Sequence, residues 1–121
     1  MTGHLSYIPG LITAYRRGLA TDHVHLGYWP DRQRLDFPAA QTAMAKLHLD
    51  ALCLSDGMTV VDVGCGIGGS LRLVNQTQRD CRLIGVNIDP AQLAICAETV
   101  PRNGNMLRWL EADAGDTGVS S

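Results

Sequence analysis

The run Val60-Val61-Asp62-Val63-Gly64-Cys65-Gly66-Ile67-Gly68-Gly69 holds the residues best suited to chemistry in this chain. Glycines that follow a strand let the backbone turn tightly into a helix N-terminus and let a ligand reach the main chain without meeting a Cβ. Their spacing fits two templates. Gly64, Gly66 and Gly68 give GxGxG, whereas Gly64, Gly66 and Gly69 give the dinucleotide pattern GxGxxG. The glycines alone do not choose between them.

Asp62 narrows the choice. A carboxylate two residues before the first glycine, near the carboxyl end of a buried strand, is costly unless it meets a hydrogen-bond donor or a cation. It would repel a pyrophosphate and attract an ammonium group. S-adenosylmethionine carries an α-ammonium and a sulfonium but no phosphate, so a methyl donor fits better than a dinucleotide.

His23 and His25 make a second candidate group. His-x-His can hold a metal on a strand, but no third ligand accompanies the pair, and no metal site is expected. Either ring could act as general base toward an acceptor hydroxyl, since an unperturbed imidazole titrates at about 6.5; the alternative is a loop histidine with no role. Tyr28 and Trp29 have two readings as well. Their aromatic faces could close over a sulfonium, or they could pack the N-terminal helix onto the core.

These residues need elements to position them. Ile12, Tyr15 and Leu19 have helical spacing, and residues 21–38 read as a polar, proline-bearing cover loop. Ala40, Met44, Leu47, Ala51 and Leu54 recur at spacings that predict an amphipathic helix over 38–54, stopped by Asp56-Gly57. Residues 58–63 are β-branched without strict alternation, as in a parallel strand buried on both faces. A helix follows the glycines, with Leu71 and Val74 inward. A second strand spans 82–88. Asp89-Pro90-Ala91-Gln92 then opens a helix, with an acid at the N-cap and proline at the first helical position. A third strand covers 106–112, and AGDTGVSS is a small polar tail. The alternation of strand and helix with short connections predicts a parallel α/β sheet.

Composition limits the function classes. The 121 residues suffice for one modest core. Ten basic residues, nine of them scattered arginines, stand against twelve acidic ones, so there is no electrostatic footprint for nucleic acid or an anionic membrane. No apolar run is long enough to span a bilayer, and the order of charge and apolarity at the start is wrong for a secretory leader. Cys53, Cys65, Cys81 and Cys96 lack zinc-site spacing and read as free thiols of a cytoplasmic protein.

Taken in order, VVDVGCGIGG, LIGVNIDPAQLAICAE and LRWLEADA resemble the first three motifs of class I S-adenosylmethionine-dependent methyltransferases, over residues 38–114. HLGYW is similar to a segment of their small-molecule branch, which includes sterol, tocopherol and sugar methyltransferases and in which the N-terminal region covers the donor. The resemblance implies a Rossmann-like parallel sheet of about three strands, part of a seven-stranded fold, with an N-terminal helical cap. It divides the chain into a cap and lid (1–37), a donor-binding half domain (38–114) and a flexible tail (115–121).

It further implies S-adenosylmethionine as cofactor, with Asp62, Gly64, Cys65, Gly66 and Gly68 around its methionine part. Asn87 stands where the family usually has a ribose-binding acid, with Ile88 beside it; Asp113 falls near the adenine, and Tyr28 and Trp29 lie over the donor. Asp89 could substitute for the ribose acid or simply cap its helix. The function implied is methyl transfer to an oxygen, nitrogen or carbon nucleophile of a small molecule by a truncated or split form. The alternatives are a silent donor-binding or complementing module and an NAD-binding oxidoreductase fragment, the latter disfavoured by Asp62 and Asn87. With three strands, the first strand becomes an open edge, which predicts self-association or a complementing chain.

Overall fold

A computed structural model describes residues 8–30 and 34–119. Seven elements follow one another: α1 (Ile8–Arg16), α2 (Phe37–Ala51), β1 (Thr59–Val63), α3 (Gly69–Thr77), β2 (Arg82–Asn87), α4 (Pro90–Thr99) and β3 (Met106–Glu111). The strands form one sheet in the order β1-β2-β3, all parallel, with Asp62 opposite Gly85 and Gly85 opposite Trp109. The sheet is the expected one, with right-sized crossovers on α3 and α4.

Two helix starts follow from their caps. The Asp36 carboxylate accepts from Ala39 N at 2.8 Å at the head of α2, and that of Asp89 accepts from Ala91 N at 3.0 Å at the head of α4. Gln92 Nε2 donates to the other Asp89 oxygen at 3.2 Å. Asp89 is therefore a cap, the simpler of its two readings.

The clusters that pack helices onto the sheet lie on one face, and Ile84 and Val86 are buried on the other. Leu71 and Val74 of α3 pack with Cys81 and Leu83, joined by Leu49 of α2, Val60, Leu107 and Trp109. Cys65, Leu93 and Cys96 form an adjoining cluster against the same Trp109. Leu71 and Leu83 are fully buried, and each such side chain stabilises the fold by about 1.5–3 kcal/mol.

The expectation that β1 is buried on both faces does not hold. Val61 is 39% and Val63 48% exposed. Helices α2, α3 and α4 pack with Val60, Leu83 and Trp109 on one face, and β1 is an edge strand among the described residues, which leaves Val61 and Val63 on its other face open to solvent. Leu19 also departs from its expected place on the first helix. The chain leaves α1 before it, through Gly18 at φ +70°, and Leu19 is 78% exposed.

Candidate functional site

The glycine turn, Asn87, Ile88 and Asp113 all lie at or just beyond the carboxyl ends of strands, where parallel sheets hold their ligands. Gly64 N and Cys65 N both donate to Val86 O, at 2.8 and 3.0 Å, which bends the chain out of β1 and over β2. Gly68 then caps α3 with φ +90°, a left-handed conformation that glycine adopts at no steric cost, and no side chain caps the helix there. The first amides of α3 are thus left for a ligand or solvent.

Asp62 is half-buried on β1. Among the described residues its carboxylate has no hydrogen bond or ion pair, and burial pushes its pKa up from the ordinary value. A carboxylate in that setting is an acceptor for a cation.

Asn87 is buried and committed at both ends of its amide. Nδ2 donates to Gly66 O at 3.3 Å and Oδ1 accepts from Asp89 N at 3.1 Å. An aspartate at this position would set a carboxylate oxygen against the Gly66 carbonyl, which gives the amide a structural reason. Cys65 is buried beside the loop, whereas Ile88 is 56% exposed past the end of β2. Asp113 is exposed, and its Oδ1 accepts from Gly115 N at 2.7 Å within a small turn that includes a bridge to Asp116.

The segment around His23 lies directly on the glycine turn. A Cβ at Gly69 would fall 2.5 Å from His23 Nδ1 and 2.6 Å from Asp22 O, so only glycine permits this approach. Three side chains anchor the strap. Arg72 Nε donates to Asp22 Oδ2 at 2.6 Å while its terminal nitrogens reach Thr99 O and Oγ1 at 2.7 and 2.8 Å. Gln41 Nε2 donates to the carbonyls of His23 and His25 at 2.8 and 2.9 Å, and its Oε1 accepts from Thr21 at 2.7 Å. Part of the expected mobile cover is thus tied to α2, α3 and α4. Asp22, Gln41 and Arg72 give no signal in the sequence, because partners 16 to 50 residues apart leave no local spacing pattern.

The two imidazoles stand 5.1 Å apart between ring centroids. Burial holds the His23 pKa below its ordinary value, against the opposing pull of Asp22 and with the help of His25 and Arg72. His25 Nδ1 donates to Leu26 O at 2.8 Å, which leaves Nε2 as the bare lone pair. That nitrogen and His23 Nδ1 are sealed from solvent and meet no partner among the described residues. Tyr28 N donates to Ala40 O at 2.8 Å. The Trp29 indole donates to Leu35 O at 3.0 Å and lies 6.4 Å from the Phe37 ring, so both residues are placed on α2.

A parallel sheet whose first strand opens through a glycine turn into a helix, with a half-buried acid on that strand, is the architecture of the class I S-adenosylmethionine-dependent methyltransferase fold. Comparison with known proteins agrees. Residues 26–110 match the family described as mycolic acid cyclopropane synthetase, and the chain belongs to that family.

Trans-aconitate 2-methyltransferase of Azoarcus sp. (strain BH72) is 33% identical over 85 residues, 70% of this chain and 32% of that protein. The 2-methyl-6-phytyl-1,4-hydroquinone methyltransferase of Synechocystis sp. (strain ATCC 27184 / PCC 6803 / Kazusa) is 34% identical over 88 residues, 66% of this chain and 26% of that one. Among solved structures, coclaurine N-methyltransferase bound to N-methylheliamine and SAH superposes with TM-score 0.68 at 26% identity, over 81% of this chain and 28% of the other. The mycolic acid cyclopropane synthase CmaA1 complexed with SAH and CTAB gives 0.65 at 28%, over 72% and 30%. The chain spans about a third of the length of the curated relatives it matches.

Proposed function

We propose that this chain is the donor-binding half of a small-molecule methyltransferase, holding S-adenosylmethionine along the carboxyl ends of its strands. The observation that carries this is Asp62, a half-buried carboxylate beside a glycine turn with no partner among the described residues. An α-ammonium supplies the charge Asp62 lacks. The backbone of Gly64, Gly66 and Gly68 lines the methionine part, with Cys65 beside it, and Asn87, Ile88 and Asp113 lie along the nucleoside part. When bound, S-adenosylmethionine offers a methyl group on a positive sulfur to an oxygen, nitrogen or carbon nucleophile.

The chain's own contribution is alignment, which governs transfers of this type. His25 is the better base of the histidine pair, because its Nε2 keeps a lone pair while His23 is wedged against Gly69. The strap must shift for His25 to reach an acceptor proton. Tyr28 and Trp29 belong to the cap of residues 1–37 and extend over the donor only with such a movement.

The open edge of β1 supports self-association or a complementing chain, and light scattering on the purified chain tests it: a stable monomer refutes that part. Four free cysteines support a reducing, cytoplasmic setting. Equilibrium dialysis with labelled S-adenosylmethionine tests the main reading. Saturable binding displaced by S-adenosylhomocysteine but not by NAD is the expected result; displacement by NAD overturns it in favour of a dinucleotide site.

A further inference from the structure

Two buried thiols converge beneath the glycine turn. The Sγ atoms of Cys65, in the turn, and Cys96, on α4, lie 3.7 and 3.5 Å from one carbonyl, that of Gly66. They share a cluster with Leu93 under Trp109. The residues are 31 positions apart in sequence, so the fold and not a local motif brings them together. Nothing in methyl transfer uses a second thiol here.

We infer that Cys65 and Cys96 form a redox-sensitive pair, joined by a disulfide under peroxide. One sulfur attacks a peroxide oxygen, the O–O bond breaks, and a sulfenic acid and one water result. The second sulfur then attacks the first, the S–O bond breaks, and the oxygen leaves as a second water. Two thiols lose two hydrogens and two electrons, and the peroxide takes up both.

The charges of the pair favour the first step. The two thiols act on each other's ionisation, so a proton held by Cys65 favours a thiolate on Cys96, whose pKa is lowered while that of Cys65 is raised. The other two cysteines are placed differently: Cys53 is exposed beyond α2, and Cys81 is buried at the head of β2.

The bond would act on the glycine turn. It removes both thiol contacts to Gly66 O and leaves that carbonyl with Asn87 alone. It also ties the turn covalently to α4. In the part that rests on the proposed function, oxidation therefore weakens donor binding.

The test treats the donor-free chain with hydrogen peroxide, then maps peptides by mass spectrometry and measures S-adenosylhomocysteine affinity before and after a thiol reductant. The expected result is a Cys65–Cys96 peptide lighter by two hydrogens, absent in Cys96→Ser, with affinity lowered about tenfold and restored by reduction. A folded chain that accumulates only sulfinic acid, or links only through Cys53, overturns the pair. If the bond forms in a chain that never binds S-adenosylhomocysteine, the pair stands and the donor reading falls. If it forms without changing a measurable affinity, the control of the turn is refuted.

Discussion

The Asn87 side chain donates to the Gly66 carbonyl at 3.3 Å, so the last residue of β2 holds the middle of the turn that leaves β1. The same amide accepts from Asp89 N, one residue before α4 begins. A residue at the usual place of a ribose acid is thus bound into the backbone of the site. Replacing Asn87 with Asp removes a donor and brings a carboxylate against a carbonyl. The expected loss is about 1–3 kcal/mol, read from urea unfolding, and an unchanged midpoint would show that the amide bond contributes nothing.

Asp62 sets stability against binding. Burial raises its pKa in the folded chain above the unfolded value. The raised value favours the fold while the group is protonated, below the unfolded pKa, and that advantage disappears as pH rises through the folded pKa. At neutral pH the ionised group therefore works against the ligand-free fold. Asp62→Asn is expected to melt at a higher temperature than the natural chain at pH 7 while binding the donor more weakly.

His23 has the opposite pH signature. Its folded pKa lies below 6.5, chiefly through burial, so the unfolded chain takes up a proton first. Its contribution is complete above 6.5 and is lost as pH falls from there toward the lowered folded value. Melting temperatures measured from pH 8 down to pH 5 should drop across that window, and His23→Gln should flatten the part due to this ring.

Gly69 and Arg72 fix the strap from two sides. Gly69→Ala places a methyl 2.5 Å from His23 Nδ1 and 2.6 Å from a backbone oxygen, and is expected to cost about 1–3 kcal/mol by overpacking. Hydrogen exchange in residues 21–25 should rise with it.

Arg72→Lys keeps the charge but cannot reach Asp22 and Thr99 together, as the guanidinium does. A loss of about 1.5–3 kcal/mol is expected; denaturant unfolding that matches the natural chain would show the link between strap and α4 to be idle.

The sheet and its crossovers were legible because the signals are local. The first strand ends in glycines, and Asp89-Pro90 announces a helix in four residues. Asp62 was legible for a related reason, since an acid inside an apolar strand is conspicuous. Other features depend on contacts that sequence spacing does not encode. The exposure of Val61 and Val63 follows from which face the helices cover. The clamp of Asp22, Gln41 and Arg72, like the meeting of Cys65 and Cys96, joins residues from separate elements. For Asn87 the departure from the usual acid was visible, but its reason, the Gly66 carbonyl, appears only when the turn is folded over β2.

The central claim is that Asp62 receives the ammonium of a methyl donor, and calorimetric titration with two ligands tests it most directly. S-adenosylhomocysteine carries the ammonium; 5′-methylthioadenosine keeps the nucleoside and sulfur without it. The natural chain should favour the first by at least about tenfold, or 1.4 kcal/mol, and Asp62→Asn should remove most of that preference while leaving 5′-methylthioadenosine binding close to unchanged. A folded Asp62→Asn chain that retains the full preference would contradict the account.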